Sequence, residues 1–408
     1  MGDRLFLNKN YEGAFDILIV GGGLSGLCYA YQLKIKQPHL SFKIFESQDS
    51  FACDKTWSFH QNDVSNINLW KDFLTASWNN YDVQFSKKRT TVNLSYHTIL
   101  ARDFFSKMQH FLRDHLMMGA KIEEISDTHV KTTTGRTFFG TIVIDARSIP
   151  KLTLPEMQKR HWGFQKFVGL EIKTRGPHRL NRPLLMDANI DQTDGYRFIY
   201  ALPLTEETLL IEDTYYSNNH QLPVQTSISD LKHYAFTKHW PIETVMRTET
   251  GVLPIPLHSL KSSNESIGGQ PFFIGTGADF YHPVTGYSFL WSTRVAEALS
   301  DLSHPTKEQV AACLRKLQNQ NEKTRPFYLF LNRLMFLGSD ETNRKNIFSR
   351  FYRLPVKTIS RFYSGQTNFI DKLRLLVGRP PIPVITALKI IFPALQTSNK
   401  LIASDDQI

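Results

Sequence analysis

Ile17-Leu18-Ile19-Val20-Gly21-Gly22-Gly23-Leu24-Ser25-Gly26 is the stretch that decides the fold. Ile17 to Val20 form a short apolar run of the kind that makes a buried strand, and Gly21, Gly23 and Gly26 follow at GxGxxG spacing. A side chain in that tight turn would collide with a pyrophosphate, and the next helix aims its N-terminal N–H groups at the anion. Leu24, Leu27 and Tyr31 give that segment a helical stripe, and Pro38 follows its end. A second strand, Phe42 to Phe45, closes on Glu46, twenty residues beyond Gly26, where an acidic side chain accepts hydrogen bonds from an adenosine ribose. The plain alternative, a glycine turn in an ordinary βαβ unit, leaves the agreement of turn, helix, strand and acid to chance.

Around this start lies a chain of 408 residues with 41% hydrophobic content, enough for a sizeable core in two or three structural units. The three cysteines, Cys28, Cys53 and Cys313, include no CxxC pair, so neither a disulfide framework nor a metal site is expected, and a reducing compartment fits. No signal peptide or bilayer-spanning run of about eighteen apolar residues is visible. The net charge of +10 is unevenly placed: residues 321 to 380 carry twelve Lys or Arg against four acids, a net of +8. There Arg325, Arg333, Arg350, Arg353 and Arg361 interleave with Phe327, Tyr328, Phe330, Phe336, Phe348, Phe351, Tyr352, Phe362 and Tyr363. Cations beside aromatic rings suit an anionic membrane surface. The same pattern fits nucleic acid, or a helical cap whose rings are core and whose charges are solvated. The apolar Pro381 to Leu395 is too short to cross a membrane and suits its interface or the core.

The units interleave along the chain. Residues 1–60, 97–150 and 265–303 are expected to build a discontinuous nucleotide-binding domain, with a helix from Arg102 to Leu116, a hairpin turning at Thr134 and Gly135, and a buried strand from Thr141 ending at Asp145. Residues 61–96 and 151–264 are expected to form an antiparallel substrate sheet, with strands at Gly163–Ile172, Tyr196–Leu202 and Thr208–Glu212. Residues 304–408 read as mostly helical and basic. A late strand and glycine turn, FFIGTGADFYHPVTGYS from Phe272 to Ser288, leads into a helix expected over Tyr287 to Leu299. Flavoproteins of the aromatic-hydroxylase architecture use such an arrangement to bring a second helix N-terminus to the flavin, which favours FAD over free NAD. Such proteins carry Asp just after the strand glycine; here Thr276 stands there, able to hydrogen-bond but without charge.

The segment LLMDANIDQTDGYRFIYALPLTEETLLIEDT, Leu184 to Thr214, sets Asp187, Arg197, Glu212 and Asp213 among apolar neighbours. Together with KTWSFH (Lys55 to His60) and FYHPVTGYS (Phe280 to Ser288), it resembles the bacterial lycopene β-cyclase family. The resemblance extends through GFQKFVGLEI (Gly163 to Ile172), GVLPIP (Gly251 to Pro256), FLNRLMFLG (Phe330 to Gly338) and RFYSG (Arg361 to Gly365). Where the family carries a His before Thr-Trp-Ser-Phe, this chain has Lys55.

The resemblance implies an α/β fold: a Rossmann-like FAD-binding domain of the aromatic-hydroxylase and glutathione-reductase type, an antiparallel β substrate domain and a helical C-terminal region. It implies redox-neutral cyclisation of the ψ end groups of lycopene or related acyclic carotenoids, with reduced FAD, NAD(P)H as reductant, no metal and no nucleic acid. The protein would then sit in the cytoplasm, peripherally on the inner face of the membrane. Protonating an alkene needs a close, poorly solvated acid, which in this family is the glutamate of the IEDT box, here Glu212. Asp213 beside it points to the opposite face of a regular strand, so only one of the two reaches substrate. His282 is expected either to assist proton transfer or bond the flavin, or only to shape its turn. The cofactor-binding set expected is Gly21, Gly23, Ser25, Gly26, Glu46, Trp57, Arg102, Asp145, Gly275, Pro283, Gly286 and Tyr287; Trp57, Phe59 and Tyr287 also read as pocket lining. A flavin monooxygenase of the same architecture and a non-catalytic flavin- or carotenoid-binding membrane protein are the rival readings.

Overall fold

In the computed structural model, which describes residues 11–51, 55–61, 64, 66–148, 152–259 and 269–376, Ile17 to Val20 lie at the centre of the first sheet with exposures of 0 to 1%. Strand β1 (Tyr11–Val20) is flanked in parallel by β2 (Phe42–Phe45) and β11 (Thr137–Asp145). A parallel strand covered on both faces must be apolar at every position. Ile17 and Ile19 face α1 (Leu24–Lys36), α2 (Ala101–Leu112) and α5 (Phe289–Ser300), whereas Leu18 and Val20 pack with Phe45 and Phe138 on the other side. The sheet is extended by β8 (Leu116–Met117) beyond β2, by β10 (His129–Thr132) and β9 (Ile122–Ile125) beyond β11, and by β17 (Phe272–Phe273), which pairs with β11.

The helix expected from Arg102 to Leu116 ends at Leu112, because the chain turns there and spends Leu116 and Met117 on pairing with Ile44 and Phe45. The late strand stops at Phe273 and a single 3₁₀ turn, Gly275–Ala278, replaces an immediate helix; α5 starts only at Phe289.

The second sheet runs β16 (Ile242–Ile255), β12 (Gly163–Thr174), β15 (Thr208–Ser217), β14 (Tyr196–Pro203), β13 (Leu184–Asp187), β5 (Tyr81–Gln84), β6 (Arg89–Val92), antiparallel except for β13 with β5. Period-two alternation gives it two distinct faces. Leu170, Ile172, Ile199, Ala201 and Ile211 are covered by α4 (Val224–Thr237) through Leu231, Tyr234 and Ala235. On the opposite face Tyr196, Phe198 and Tyr216 pack against α6 (Lys307–Leu337), α7 (Glu341–Phe351) and α8 (Val356–Tyr363). A small sheet of β3 (Thr56–His60), β7 (Tyr96–Leu100) and β4 (Ala76–Trp78), a short α3 (Leu154–Lys159) and a terminal α9 (Phe369–Leu376) complete the described chain.

Of the aromatics that interleave with arginines in the C-terminal region all but the half-buried Phe330 are core: Tyr328, Phe336, Phe351, Tyr352 and Phe362 are buried, and Phe327, Phe348 and Tyr363 pack against them. Helical period turns these rings inward, so they are not available to a membrane. Exposed apolar residues in this region cluster on α9 instead, with Phe369 73% and Ile370 56% exposed and Leu373 and Leu376 alongside. Pro381–Leu395 and Cys53 lie outside the described residues.

Candidate active site

The glycine turn is built as its spacing demands. Gly21 takes φ +107°, and a Cβ on Gly26 would stand 2.0 Å from the Gly21 carbonyl, so only glycine lets α1 start this close to β1. Gly23 is the N-cap of α1, has no side-chain cap and faces open space, leaving N–H groups of the first turn for an anion. At the end of β2, Glu46 accepts from the Gly22 N–H at 2.9 Å and the Gln48 N–H at 2.9 Å, holding its carboxylate beside the turn. Ser25 bonds Ser292 of α5 at 2.7 Å, and its Oγ would stand 2.7 Å from a Cβ on Gly275, a residue at φ +72°. These residues fit the pyrophosphate and ribose of a dinucleotide.

Other members of the expected cofactor set are engaged within the protein. Asp145 is 2% exposed and receives Arg147 through Nε at 2.9 Å and Nη2 at 2.6 Å, so it is spent on a neighbour two residues on. Arg102 donates bidentately to Glu171 of β12, at 3.0 and 2.8 Å, tying α2 to the second sheet. Trp57 packs edge-on against Phe104 and Phe105. Thr276 bonds Ser148 at 2.7 Å.

Strand register explains the second half of the site. Across β16, β12, β15 and β14 one row reads Glu249, Gly169, Glu212, Tyr200. The next row on that face brings Arg247 level with Glu171. Arg247 donates to Glu171 and to Glu249, each at 2.9 Å, and Glu249 also accepts from the Thr56 N–H at 2.9 Å and its hydroxyl at 2.8 Å. Burial would raise Glu171, but Arg102 and Arg247 hold it below the usual carboxylate range.

Glu212 differs from all of these acids. Its side chain is half-buried beside Tyr200 and Tyr287, and among the described residues no hydrogen bond or ion pair reaches its carboxyl. Burial first, then the nearby Glu249, push it well above the usual carboxylate range against the pull of Arg247. Tyr287 also lines a small cavity, together with Ser58, Phe59, Tyr96, Tyr363 and the predicted site residue His282, among others. The Tyr96 and Tyr200 hydroxyls meet at 3.1 Å, Tyr200 donates to Ser58 at 2.9 Å, and burial keeps both phenols protonated.

The remaining sequence candidates separate by face. Asp213 is fully buried behind the sheet, where Arg197 grips it at 2.8 and 2.9 Å and Tyr215 donates at 2.7 Å. Asp187 is likewise behind, held by Tyr234 and Lys238 at 2.8 Å each. His282, 2% exposed, has Nε2 at 2.9 Å from the Phe362 carbonyl and Nδ1 at 3.3 Å from the Val284 and Thr285 N–H groups. A ring that donates to a carbonyl and accepts from two amides shapes the turn that runs through Pro283 and Gly286 (φ +70°) and presents Tyr287 to the cavity. Sequence reasoning missed Glu171, Arg247, Glu249, Gly169 and Tyr200. Their only local signal is the alternation Arg247, Glu249, Gly251.

Comparison with known proteins agrees with this architecture. A family model described as lycopene cyclase protein matches residues 16–389. A lycopene beta-cyclase of Pantoea ananas is 33% identical over 382 residues, covering 92% of this chain and 98% of that protein. One from Paracoccus sp. (strain N81106 / MBIC 01143) is 33% identical over 386 residues, covering 92% and 96%. Among solved structures, a geranylgeranyl bacteriochlorophyll reductase-like protein from Thermoplasma acidophilum superposes with TM-score 0.61 at 11% identity, covering 93% of this chain and 99% of that one. The flavin-dependent brominase Bmp2 superposes with TM-score 0.58 at 13% identity, covering 94% and 100%. At such identities the structures speak for the fold, a flavoprotein α/β architecture with an antiparallel sheet and a helical C-terminal region, whereas the family model and the curated relatives span nearly the whole chain: it belongs to the lycopene cyclase family.

Proposed function

We propose that the protein is a lycopene β-cyclase that closes the ψ end groups of lycopene to β rings, giving γ-carotene and then β-carotene, with reduced FAD as cofactor and NAD(P)H as reductant. The observation that carries this reading is Glu212: an acid with no hydrogen-bond or ion-pair partner among the described residues, close to Tyr200 and to the cavity-lining Tyr287, and held above its ordinary range by burial. The names of the curated relatives support it. The uncapped N-terminus of α1, open Gly23 and the carboxylate of Glu46 support the cofactor. When bound in its reduced, anionic form, the flavin supplies negative charge that stabilises a nearby carbocation.

In this mechanism Glu212 hands its proton to C2 of the terminal alkene, and the electron pair of that double bond forms the new C–H bond. The C5–C6 double bond closes on the tertiary cation at C1, and the C6 proton passes to the Glu212 carboxylate, which restores both the neutral ring and the acid, so no electron is gained or lost overall. The faces of Tyr287 and Tyr96 shelter the cation, and their phenols, kept protonated by burial, are poor traps for it. Because the working form is the acid, turnover holds below the raised pKa of Glu212 and falls as pH rises through it.

Expression in lycopene-accumulating bacteria tests the reading. The expected outcome is a shift from red to orange-yellow at unchanged pigment mass, abolished by Glu212→Gln with the flavin retained. A product heavier by one oxygen would mean a monooxygenase, and unchanged red pigment a binder.

A substrate dissolved in lipid calls for contact with a membrane, and the protein is placed by this reading at the inner, cytoplasmic face. The net basic C-terminal region and the exposed Phe369, Ile370, Leu373 and Leu376 of α9 support docking on an anionic surface. No described helix is long and apolar enough to cross a membrane. The protein is expected to sediment with anionic vesicles and to be released by salt or mild detergent; identical solubility with and without vesicles refutes this.

A further inference from the structure

Laterally paired residues on a pleated sheet point the same way, and neighbouring strands lie about 5 Å apart. Glu249 and Glu212 are two strands apart in one row, and the position between them, Gly169, has no side chain. Glu212 leans into that gap. A Cβ on Gly169 would stand 2.9 Å from its Cγ and 3.4 Å from its Oε1, so the carboxyl is tilted off its own strand toward β16 and Glu249.

The two acids are unequally provided. Burial pushes Glu249 up as well, but three donors pull against it, Arg247 Nη1, the Thr56 N–H and the Thr56 hydroxyl. Glu212 has none among the described residues. An ionised carboxylate in a poorly hydrated place needs donors, whereas the acid form tolerates their absence and has a hydrogen to give. Two neighbouring carboxyls in such a place resist ionising together, and the distribution of donors decides which one keeps the proton.

We propose that Glu249 is a positioning residue for the acid: held as the anion by Arg247 and Thr56, it keeps the pair's one proton on Glu212. This rests on Glu212 being the acid of the cyclisation. The surrounding charges agree. Arg102 and Arg247 face Glu171 and Glu249, a quartet whose charges cancel, so an ionised Glu212 would add an uncompensated negative charge beside it. Tyr200 from β14 and Tyr287 from the turn before α5 contribute neutral phenols, since burial holds both protonated.

The test is Glu249→Gln in the flavin-loaded enzyme, with two readouts: the pH–rate profile of cyclisation, and the infrared C=O band of the protonated Glu212 carboxyl, identified by its disappearance in Glu212→Gln. With the neighbouring anion gone, the high-pH limb and the titration midpoint of the band both move down by about one unit or more, a tenfold change in acid-to-anion ratio per unit. The rate at low pH stays close to that of the parent. A loss spread evenly over all pH values, with the band unmoved, assigns Glu249 a merely structural role and overturns the proposal. Should Glu249→Gln fail to fold, Thr56→Val removes one donor from Glu249 and lets it compete for the proton. The rate then falls near neutrality and recovers at low pH, where both acids are protonated; a parental profile overturns the proposal. Cyclisation that survives Glu212→Gln refutes the underlying acid assignment instead, whatever the Glu249 variants do.

Discussion

Glu212 and Asp213 are consecutive on β15, and the pleat sends them to opposite faces, so the same chemical change at each must fail in opposite ways. Asp213→Asn removes the charge that holds Arg197, whose side chain is only 9% exposed, and leaves it with Asp230 at 2.5 Å, a partner 42% exposed to water. Removing one member of a buried pair costs about 3–5 kcal/mol; the surviving Asp230 contact and the amide oxygen, which still accepts one bond, place this case near the lower end, about 3 kcal/mol. Asp213→Ala also takes one of the two partners of the Tyr215 hydroxyl, leaving it the longer contact to Ser227 at 3.2 Å, and adds about 1 kcal/mol. Glu212→Gln breaks no described contact, and its cost is expected within about 0.5 kcal/mol. The assay is a denaturant midpoint followed by tryptophan fluorescence, beside turnover per bound flavin. Asp213→Asn should lower the midpoint and keep turnover in the folded fraction, whereas Glu212→Gln should do the reverse. An Asp213→Asn protein as stable as its parent but inactive would put Asp213 in the chemistry and refute the assignment of faces.

A methyl group at Gly169 would enter the gap that Glu212 leans into, 2.9 Å from its Cγ. Gly169→Ala is therefore expected to cost about 1 kcal/mol and to lower kcat by about tenfold or more through misplacement of the acid, with KM little changed, by steady-state kinetics. Gly23 has extended backbone (φ −75°) and open space around it, so Gly23→Ala should fold normally yet lose flavin on gel filtration; Gly26→Ala, with its Cβ 2.0 Å from the Gly21 carbonyl, should yield little folded protein. His282→Ala removes the donor to Phe362 and the acceptor for two turn amides, at a cost of about 1–3 kcal/mol in stability by denaturant melts. Its pH–rate profile should keep the parental shape, and loss of a limb would return His282 to proton transfer.

How much of this was legible in the sequence depends on how far apart the cooperating residues are. The turn at Gly21 to Gly26, its flanking strand and helix, and the carboxylate of Glu46 are written within thirty positions and follow from sterics alone. The opposed faces of Glu212 and Asp213 follow from period two, a local rule. By contrast, Asp187 and Arg197 stand among apolar neighbours for a reason local reading does not separate from catalysis: they anchor α4, Asp187 through Tyr234 and Lys238, Arg197 through Asp230. Helix α4 itself, Val224–Thr237, carries only a modest apolar stripe and went unread. Arg102, expected at the cofactor, is drawn from α2 to Glu171, sixty-nine positions away on β12.

The same limit explains why Glu249 escaped notice although it faces the acid. Arg247, Glu249 and Gly251 alternate as a strand face should, but nothing within β16 says which residue of β12 lies opposite. That depends on register, and register in a sheet is set by the whole apolar pattern on both faces. Here α4 fixes the faces from behind: Leu170, Ile172 and Ile211 face Leu231, Tyr234 and Ala235, Ile242 of β16 packs on the same side, and in the resulting register Gly169 sits between Glu249 and Glu212. A one-residue slip of β16 would bring Thr248 or Thr250 to the place of Glu249 and leave Glu212 without its charged neighbour. The packing that stabilises the back of the sheet is therefore also what sets the protonation of the acid on its front.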